Sequence, residues 1–403
     1  MSYLFSPQFK HVTWRRLWVA LARAEKALGL SITDKQIHCL ESHIFEIDFE
    51  RVAEYEQTFR HDVMAHIHAY AEQCPEAKPI LHLGATSTYV TDNTDLIQMH
   101  EALKLLKPKL VEAIRHLVDF AKEHAHLPTL SYTHFQPAQP TTLGKRACLW
   151  IQDLLIDLAD LEARTNDIRF LGVKGATGTQ ASFLALFNND RKKVRDLDNY
   201  VAKELGFTHL FTISSQTYTR KQDMRIFSVL EGIAASAHKF ATDIRLLAHL
   251  KEVEEPFSDS QVGSSAMPYK RNPMRCERIC GLARFLISLS ENPAYTASNQ
   301  WLERTLDDSA NRRLSLSEGF LCADAILNLV VDVTSNLIVY PHMVVKHLDE
   351  ELPFLAAENI LMAAVKLGKD RQAVHERLRL HSLAAGRRVK IEGKASDFLE
   401  RIS

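Results

Sequence analysis

The stretch "IFSVLEGIAASAHKFATDIRLL", Ile226 to Leu247, decides the fold class. Ile226, Leu230, Ile233, Ala237, Phe240, Ile244 and Leu247 recur at alternating steps of four and three, the stripe of an amphipathic helix. The spacing predicts a helix from Asp223 toward Glu255, stopped by Pro256. Trp14, Leu17, Leu21, Ala24 and Leu28 predict another, ended at Gly29. From Lys145 to Phe170 there is neither Gly nor Pro, and Trp150, Leu154, Leu158 and Leu161 make a third stripe. Leu316, Phe320, Ala323, Leu327, Val330 and Leu337 carry a fourth down to Tyr340. Helices of roughly 25 to 30 residues, against a usual length of about 11, imply a long bundle with coiled-coil-like seams. Strand-like alternation is nearly absent, so the expected fold is all-α. Seams this apolar are expected to continue across subunits in a helical homo-oligomer.

With 403 residues the chain exceeds one ordinary domain. Breaks at Leu81 to Thr94 and near Tyr340 divide it into an N-terminal helical domain (1–86), a central long-helix bundle (87–339) and a C-terminal helical piece (340–403). Lys plus Arg number 49 against 50 Asp plus Glu, a net charge of -1. That balance argues against a nucleic acid or membrane surface recognised through bulk charge, so any bound anion must be held by a local cluster. The start, "MSYLFSPQFKHVTWRRLW", lacks the pattern of a signal peptide. The most apolar helix carries Asp324 and Asp332, leaving no uncharged run long enough to span a bilayer, and a cytoplasmic location is expected. The 6 Cys are scattered, with no C-x-x-C pair and no disulfide-like framework, and Cys276 and Cys280, which share a helix face, read as packed or idle thiols. His61, His66 and His68 lack the spacing of H-E-x-x-H, and no second cluster has ligand spacing, so no metal is expected.

Four polar stretches interrupt the helices: "FRHDVMAH" (Phe59 to His66), "GATSTYVTDNT" (Gly84 to Thr94), "SYTHFQPAQPTT" (Ser131 to Thr142) and "GSSAMPYKRNP" (Gly263 to Pro273). Taken singly, the first three read as a solvated helix start, a capping segment and a Pro-rich turn. The fourth is harder to reduce to structure. Gly263 gives backbone freedom, Ser264 and Ser265 offer hydroxyls, and Lys270 with Arg271 bring cations close. Neighbouring cations and backbone N–H groups would lower the cost of a serine alkoxide. Asn272 and Pro273 then restart a helix.

"GSSAMPYKRNP" resembles the signature loop of the fumarase/aspartase superfamily, whose members eliminate fumarate from succinyl-bearing substrates. "RHDVMAH", "HLGATS", "THFQPAQPTTLGKR", "GVKGATGTQ" and "ERTLDDSANRR" narrow the resemblance to the animal-type branch acting on succinylated purine nucleotides. It runs from about Trp14 to the last residues. The resemblance implies the long all-α bundle, a homotetramer with active sites shared between subunits, and no metal or organic cofactor. It implies elimination of fumarate from adenylosuccinate, and from the succinyl-carboxamide ribotide of purine synthesis. Ser264 would be the general base, His134 the general acid, and Glu277 the carboxylate that orients this histidine. His61, between Arg60 and Asp62, would help position substrate. Lys270, Asn272, Thr86 and Ser87 would hold the succinyl carboxylates, and Gln216 would add a contact. Arg278, Arg304, Ser309 and Arg313 would serve the nucleotide, the arginine forks matching phosphate geometry.

Two departures stand out. The family's Arg-Tyr pair near its start is replaced by "MSYLFSPQFK", leaving Lys10 or Arg15 as the nearby cations, and the C-terminal piece is expected to be shortened. The alternatives are a noncatalytic relative, favoured by short ends, and another fumarate-releasing lyase, which would have no use for the Arg304 and Arg313 pair.

Overall fold

The computed structural model describes residues 1–258 and 260–403. Fifteen α-helices dominate the described residues. The longest are Ser87–Glu123, Leu143–Asn166, Lys221–His249, Asp308–Thr334 and Pro341–Lys366, of 37, 24, 29, 27 and 26 residues. The all-α expectation holds. Two details differ from the sequence reading. The third polar stretch is a β-hairpin, Pro128–Thr133 paired antiparallel with Gln136–Thr142. The Lys221–His249 helix also stops before Pro256, because Lys251 turns left-handed (φ 60°) and the chain enters Val253–Glu254, a short strand paired with Ile338–Val339. By length and composition Asp308–Thr334 could cross a membrane, yet 50% of its most apolar window is buried and its Asp324 meets Lys109 at 2.5 Å.

The chain forms two compact units. The first comprises Met1–Leu110, Asp157–Ala235 and Leu282–Leu327. It opens on Pro7–Ala27, where Ser6 Oγ accepts from the Phe9 N–H at 3.2 Å, Pro7 occupies the first turn, and Gly29 at φ 102° ends the run. Trp14 and Trp18 are buried on its inner face, each worth about 4 to 6 kcal/mol of apolar burial as an upper bound. The Trp18 indole N–H donates to His82 Nδ1 at 2.9 Å, and the Tyr89 hydroxyl donates to the Leu17 carbonyl at 2.7 Å. These bonds satisfy the polar tips of Trp18 and Tyr89, whereas the buried Trp14 indole N–H has no hydrogen-bond partner among the described residues.

The second unit comprises Val111–Ile156, Ser236–Gly281 and Asn328–Ser403. Trp150 lies edge-on to Phe240 with centroids 5.3 Å apart, and its indole N–H donates to Asp243 at 2.7 Å. The hairpin is held against Pro341–Lys366, where Gln139 donates to Glu358 at 2.7 Å. Near the C-terminus Leu361, Leu378, Ala385 and Phe398 form a small core of their own, whereas Leu380 and Leu383 stay exposed.

Candidate functional site

In the first unit two residues separate two helices at the "RHD" run. Arg60 caps Phe49–Phe59 in the left-handed region (φ 53°), and His61 caps Asp62–Gln73, its Nδ1 accepting from the Met64 N–H at 3.3 Å. The cap leaves His61 Nε2 3.3 Å from Ser87 Oγ. Ser87 opens the Ser87–Glu123 helix, so the expected polar loop at Gly84 to Thr94 is mostly its first turns. These residues line a cleft of about 500 Å³, within the usual range for a small-molecule site. Arg60, His61, Asp62, Ser87, Arg304, Ser309 and Arg313 all reach it, though they span most of the sequence. Arg313 lies 3.5 Å from Asp62, and Arg304 lies 3.4 Å from Asp308. Both pairings are loose enough for an incoming phosphate to compete for the guanidinium. Thr86 and Gln216 stand outside the lining: the Thr86 hydroxyl bonds Thr88 at 2.9 Å, and the Gln216 N–H donates to the Glu303 carbonyl.

The floor of the cleft was not foreseen from sequence. Arg220, 2% exposed, donates two N–H groups to Asp92 and one to Asp308 at 2.7 Å. Arg312 donates to Asp223 at 2.8 Å and to the Tyr218 hydroxyl, and it pairs with Asp95 at 2.9 Å. Burial works against the Arg312 charge, but Asp223 and its neighbours outweigh that cost and hold the guanidinium protonated. Burial also pushes the Asp95 carboxyl above its ordinary value, with Arg312 opposing. The signal lay in "DDSANRR": Asp308 and Arg312 are four apart on one helix face, while Arg313 points to solvent. At the N-terminus Lys10 lines the cleft. Arg15 does not, because its guanidinium is buried over the Tyr70 ring and donates to the His43 and Glu46 carbonyls.

The second unit carries the candidates for proton transfer. His134 and Phe135 form the tip of the hairpin, both left-handed at φ 52° and 56°. That turn ordinarily takes Asn or Gly, and a non-glycine residue there costs on the order of 1 kcal/mol. The strain holds the imidazole out from the hairpin, exposed. In the signature loop Ser264 Oγ accepts from the Ala266 and Met267 N–H groups at 3.4 and 3.2 Å. Two amide donors favour negative charge on that oxygen. A Cβ on Gly263 would stand 2.0 Å from the Lys270 carbonyl oxygen, so only glycine lets the loop close. Asn272 closes it from the other side, donating to the Gly263 carbonyl at 2.7 Å and keeping its second N–H free for an anion.

The same loop is fixed at its base. Arg271 stacks on Phe257 at 4.6 Å and donates to the Tyr340 hydroxyl at 2.8 Å, which itself donates to Glu254 at 2.9 Å. The Glu255 carboxylate accepts from the Arg275 and Cys276 N–H groups, capping the start of Met274–Leu289. Glu277 and Arg278 follow in its first turn and are exposed, as is Lys270. The side chains of His134, Lys270, Glu277 and Arg278 make no hydrogen bond or ion pair among the described residues. They are placed by backbone alone.

Comparison with known proteins agrees with this fold. A family described as "Lyase" matches residues 12–286. Adenylosuccinate lyases from Schizosaccharomyces pombe and Saccharomyces cerevisiae are each 54% identical over 100% of this chain and 84% of their own length. That of Schistosoma mansoni is 50% identical over 99% of this chain and 83% of its own. Among solved structures, a fumarate lyase from Mesorhizobium superposes with a TM-score of 0.85 at 25% identity, covering 100% of this chain and 88% of the other. A 3-carboxy-cis,cis-muconate lactonizing enzyme from Pseudomonas putida, 24% identical, covers 98% of this chain and 86% of its own at a TM-score of 0.86, and speaks for the fold alone. An arginine-lined cleft, a serine held by two amides and sequence identity along the whole chain converge on one conclusion: this chain belongs to the lyase family and, within it, to the adenylosuccinate lyases.

Proposed function

We propose that the chain removes fumarate by β-elimination from adenylosuccinate, giving AMP, and from the succinyl-carboxamide ribotide of purine synthesis, giving the carboxamide ribotide. The observation that carries this reading is the cleft in which Arg304, Ser309 and Arg313 meet His61 and Ser87. A purely dicarboxylate substrate would have no use for that phosphate-matched set.

Ser264, as alkoxide, takes the proton from the carbon beside the succinyl carboxylate. The Ala266 and Met267 amides lower the cost of its charge. Lys270, Asn272, Thr86 and Ser87 hold the carboxylates and the carbanion that develops on them, with Gln216 a further contact. Collapse of the carbanion forms the fumarate double bond and breaks the C–N bond. His134 gives its proton to the departing nitrogen, Glu277 favouring the charged imidazole beforehand. Arg60, His61 and Asp62 orient the substrate, and Arg278, Arg304, Ser309 and Arg313 bind the nucleotide.

The working form in this reading is a cytoplasmic homotetramer whose active sites draw on several subunits, with no nucleic-acid or membrane partner. Support comes from His134, Lys270 and Glu277, which stand exposed and unbonded within one chain. The deciding assay offers the purified protein adenylosuccinate, argininosuccinate, aspartate and malate and measures fumarate release. Release from adenylosuccinate alone is expected, and release only from another substrate overturns the reading. Mixing inactive Ser264→Ala and His134→Ala protomers should restore partial activity. No recovery after verified subunit exchange would remove the shared site.

A further inference from the structure

Far from these residues in sequence, the turn after Asp34–Ser42 brings together three groups that the proposed reaction leaves unused. Cys39 lies in the last turns of that helix, His43 caps it, and Cys74 caps Asp62–Gln73. One ligand atom from each falls within 4.8 Å of the other two. Cys74 Sγ is 3.6 Å from His43 Nδ1. A tetrahedral zinc-class ion, with metal–sulfur and metal–nitrogen bonds of about 2.3 and 2.0 Å, sets its sulfur and nitrogen ligands roughly 3.5 Å apart. The observed edge needs little adjustment.

We propose that Cys39, His43 and Cys74 form a binding site for a zinc-class divalent cation.

The surroundings fit that use. On the outer side of the ring, His43 Nε2 faces a Glu46 carboxylate oxygen at 4.0 Å. A carboxylate behind a ligating imidazole fixes its tautomer and raises its basicity. Without metal, the His43 Nδ1–H and the Cys74 thiol both point to the Cys39 carbonyl, at 2.9 and 3.1 Å. Binding therefore moves the imidazole proton to Nε2, toward Glu46, and releases both thiol protons to solvent. Arg15 supplies a reason for two thiolates to be tolerated here. Its guanidinium is 1% exposed, its Nη2 has no hydrogen-bond partner among the described residues, and its charge acts on Cys74. Because a thiolate, not a thiol, ligates the ion, both cysteines must give up their protons on binding and affinity must rise with pH. Access is open on one side, since Cys39 is half-buried and the His43 side chain is 31% exposed. A solvent molecule completes the fourth position.

The test uses the whole protein, stripped of metal by a chelator, kept in a non-coordinating reductant and titrated with Co²⁺ and then Zn²⁺. One equivalent of Co²⁺ should produce a tetrahedral visible spectrum with near-ultraviolet thiolate charge transfer, and Zn²⁺ should displace it. Affinity should rise between pH 6 and 8 as the protons are lost. Cys39→Ser and His43→Asn should each weaken Zn²⁺ binding at least about tenfold, the lower end of what even an outer-sphere loss costs, with unchanged circular dichroism. Cys148→Ser, at an exposed thiol elsewhere, should leave it alone. Because Cys74 is fully buried and its replacement risks the fold, the cobalt spectrum of the unsubstituted protein carries the decision. Absence of thiolate charge transfer at one equivalent, or Zn²⁺ affinity unchanged in Cys39→Ser, overturns the proposal.

Discussion

The arginines beneath the cleft and the serine of the signature loop are held in place by opposite means. Arg220 and Arg312 are buried, the first held by Asp92 and Asp308 over the Tyr218 ring, the second by Asp95, Asp223 and the Tyr218 hydroxyl. Ser264 is partly exposed and gets its geometry from a glycine, two amides and one anchored arginine at the base of its loop. The first arrangement is rigid because any departure strands a charge in low dielectric. The second is rigid only as far as its backbone turns permit. Damage in the first region should therefore appear as lost stability, and damage in the second as lost turnover.

The widest separation is expected from Ser264→Ala and His134→Ala. Each removes one proton transfer and should lower turnover by a factor of about 10² to 10⁴ while helical circular dichroism and melting temperature stay put. Near-normal turnover in either variant would unseat that residue. The mirror experiment is Arg312→Ala, which leaves the buried Asp223 and the half-buried Asp95 without their cation. Unfolding in urea should show a loss of about 3 to 5 kcal/mol. A loss below about 1 kcal/mol would mean that the floor is not held by charge pairing.

Acid should probe the first unit next. His11 and His66 stack at 3.9 Å beside Trp14, and burial, reinforced by neighbouring charges, holds them down to about 3 and 4. In the unfolded chain both titrate near 6.5, so below that pH the unfolded state takes up protons that the native state refuses. Stability is fully present above pH 6.5 and falls toward pH 4, by about 1.4 kcal/mol per pH unit for each histidine. Hydrogen exchange should rise first in Pro7–Ala27. A flat profile between pH 6.5 and 5 would contradict the assignment. The smallest effect is expected from Tyr340→Phe, which removes the hydroxyl joining Arg271 to Glu254. One such bond is worth about 1 kcal/mol, so kcat should drop roughly fivefold with the melting temperature nearly unchanged. Equal kcat would show that the Phe257 stack suffices to anchor the loop.

The long helices were legible because their apolar period is a local property, repeated many times between Ile226 and Leu247. The hairpin was not, since "SYTHFQPAQPTT" has four Ser or Thr residues and two prolines where a strand reading wants alternation. Its pairing depends on partners that the segment does not contain, including Glu358. Motif resemblance found the cleft's rim, because Arg304 and Arg313 belong to a recognisable run. It missed Arg220, whose role comes from Asp92 and Asp308, far away along the chain. Cys39, His43 and Cys74 went unseen for the same reason: Cys74 reaches the other two only through the fold.

The first unit is assembled from three separated stretches, and this bears on how the chain is made. Lys109 meets Asp324 across 215 residues, so at about 5 to 20 residues per second a ribosome delivers the second partner roughly 10 to 40 s after the first. Throughout that interval Lys109 on the nascent Ser87–Glu123 helix lacks the carboxylate that will pair with it. Chaperone engagement should then peak while residues between these two helices are being translated, and it should end abruptly once Leu327 has left the exit tunnel.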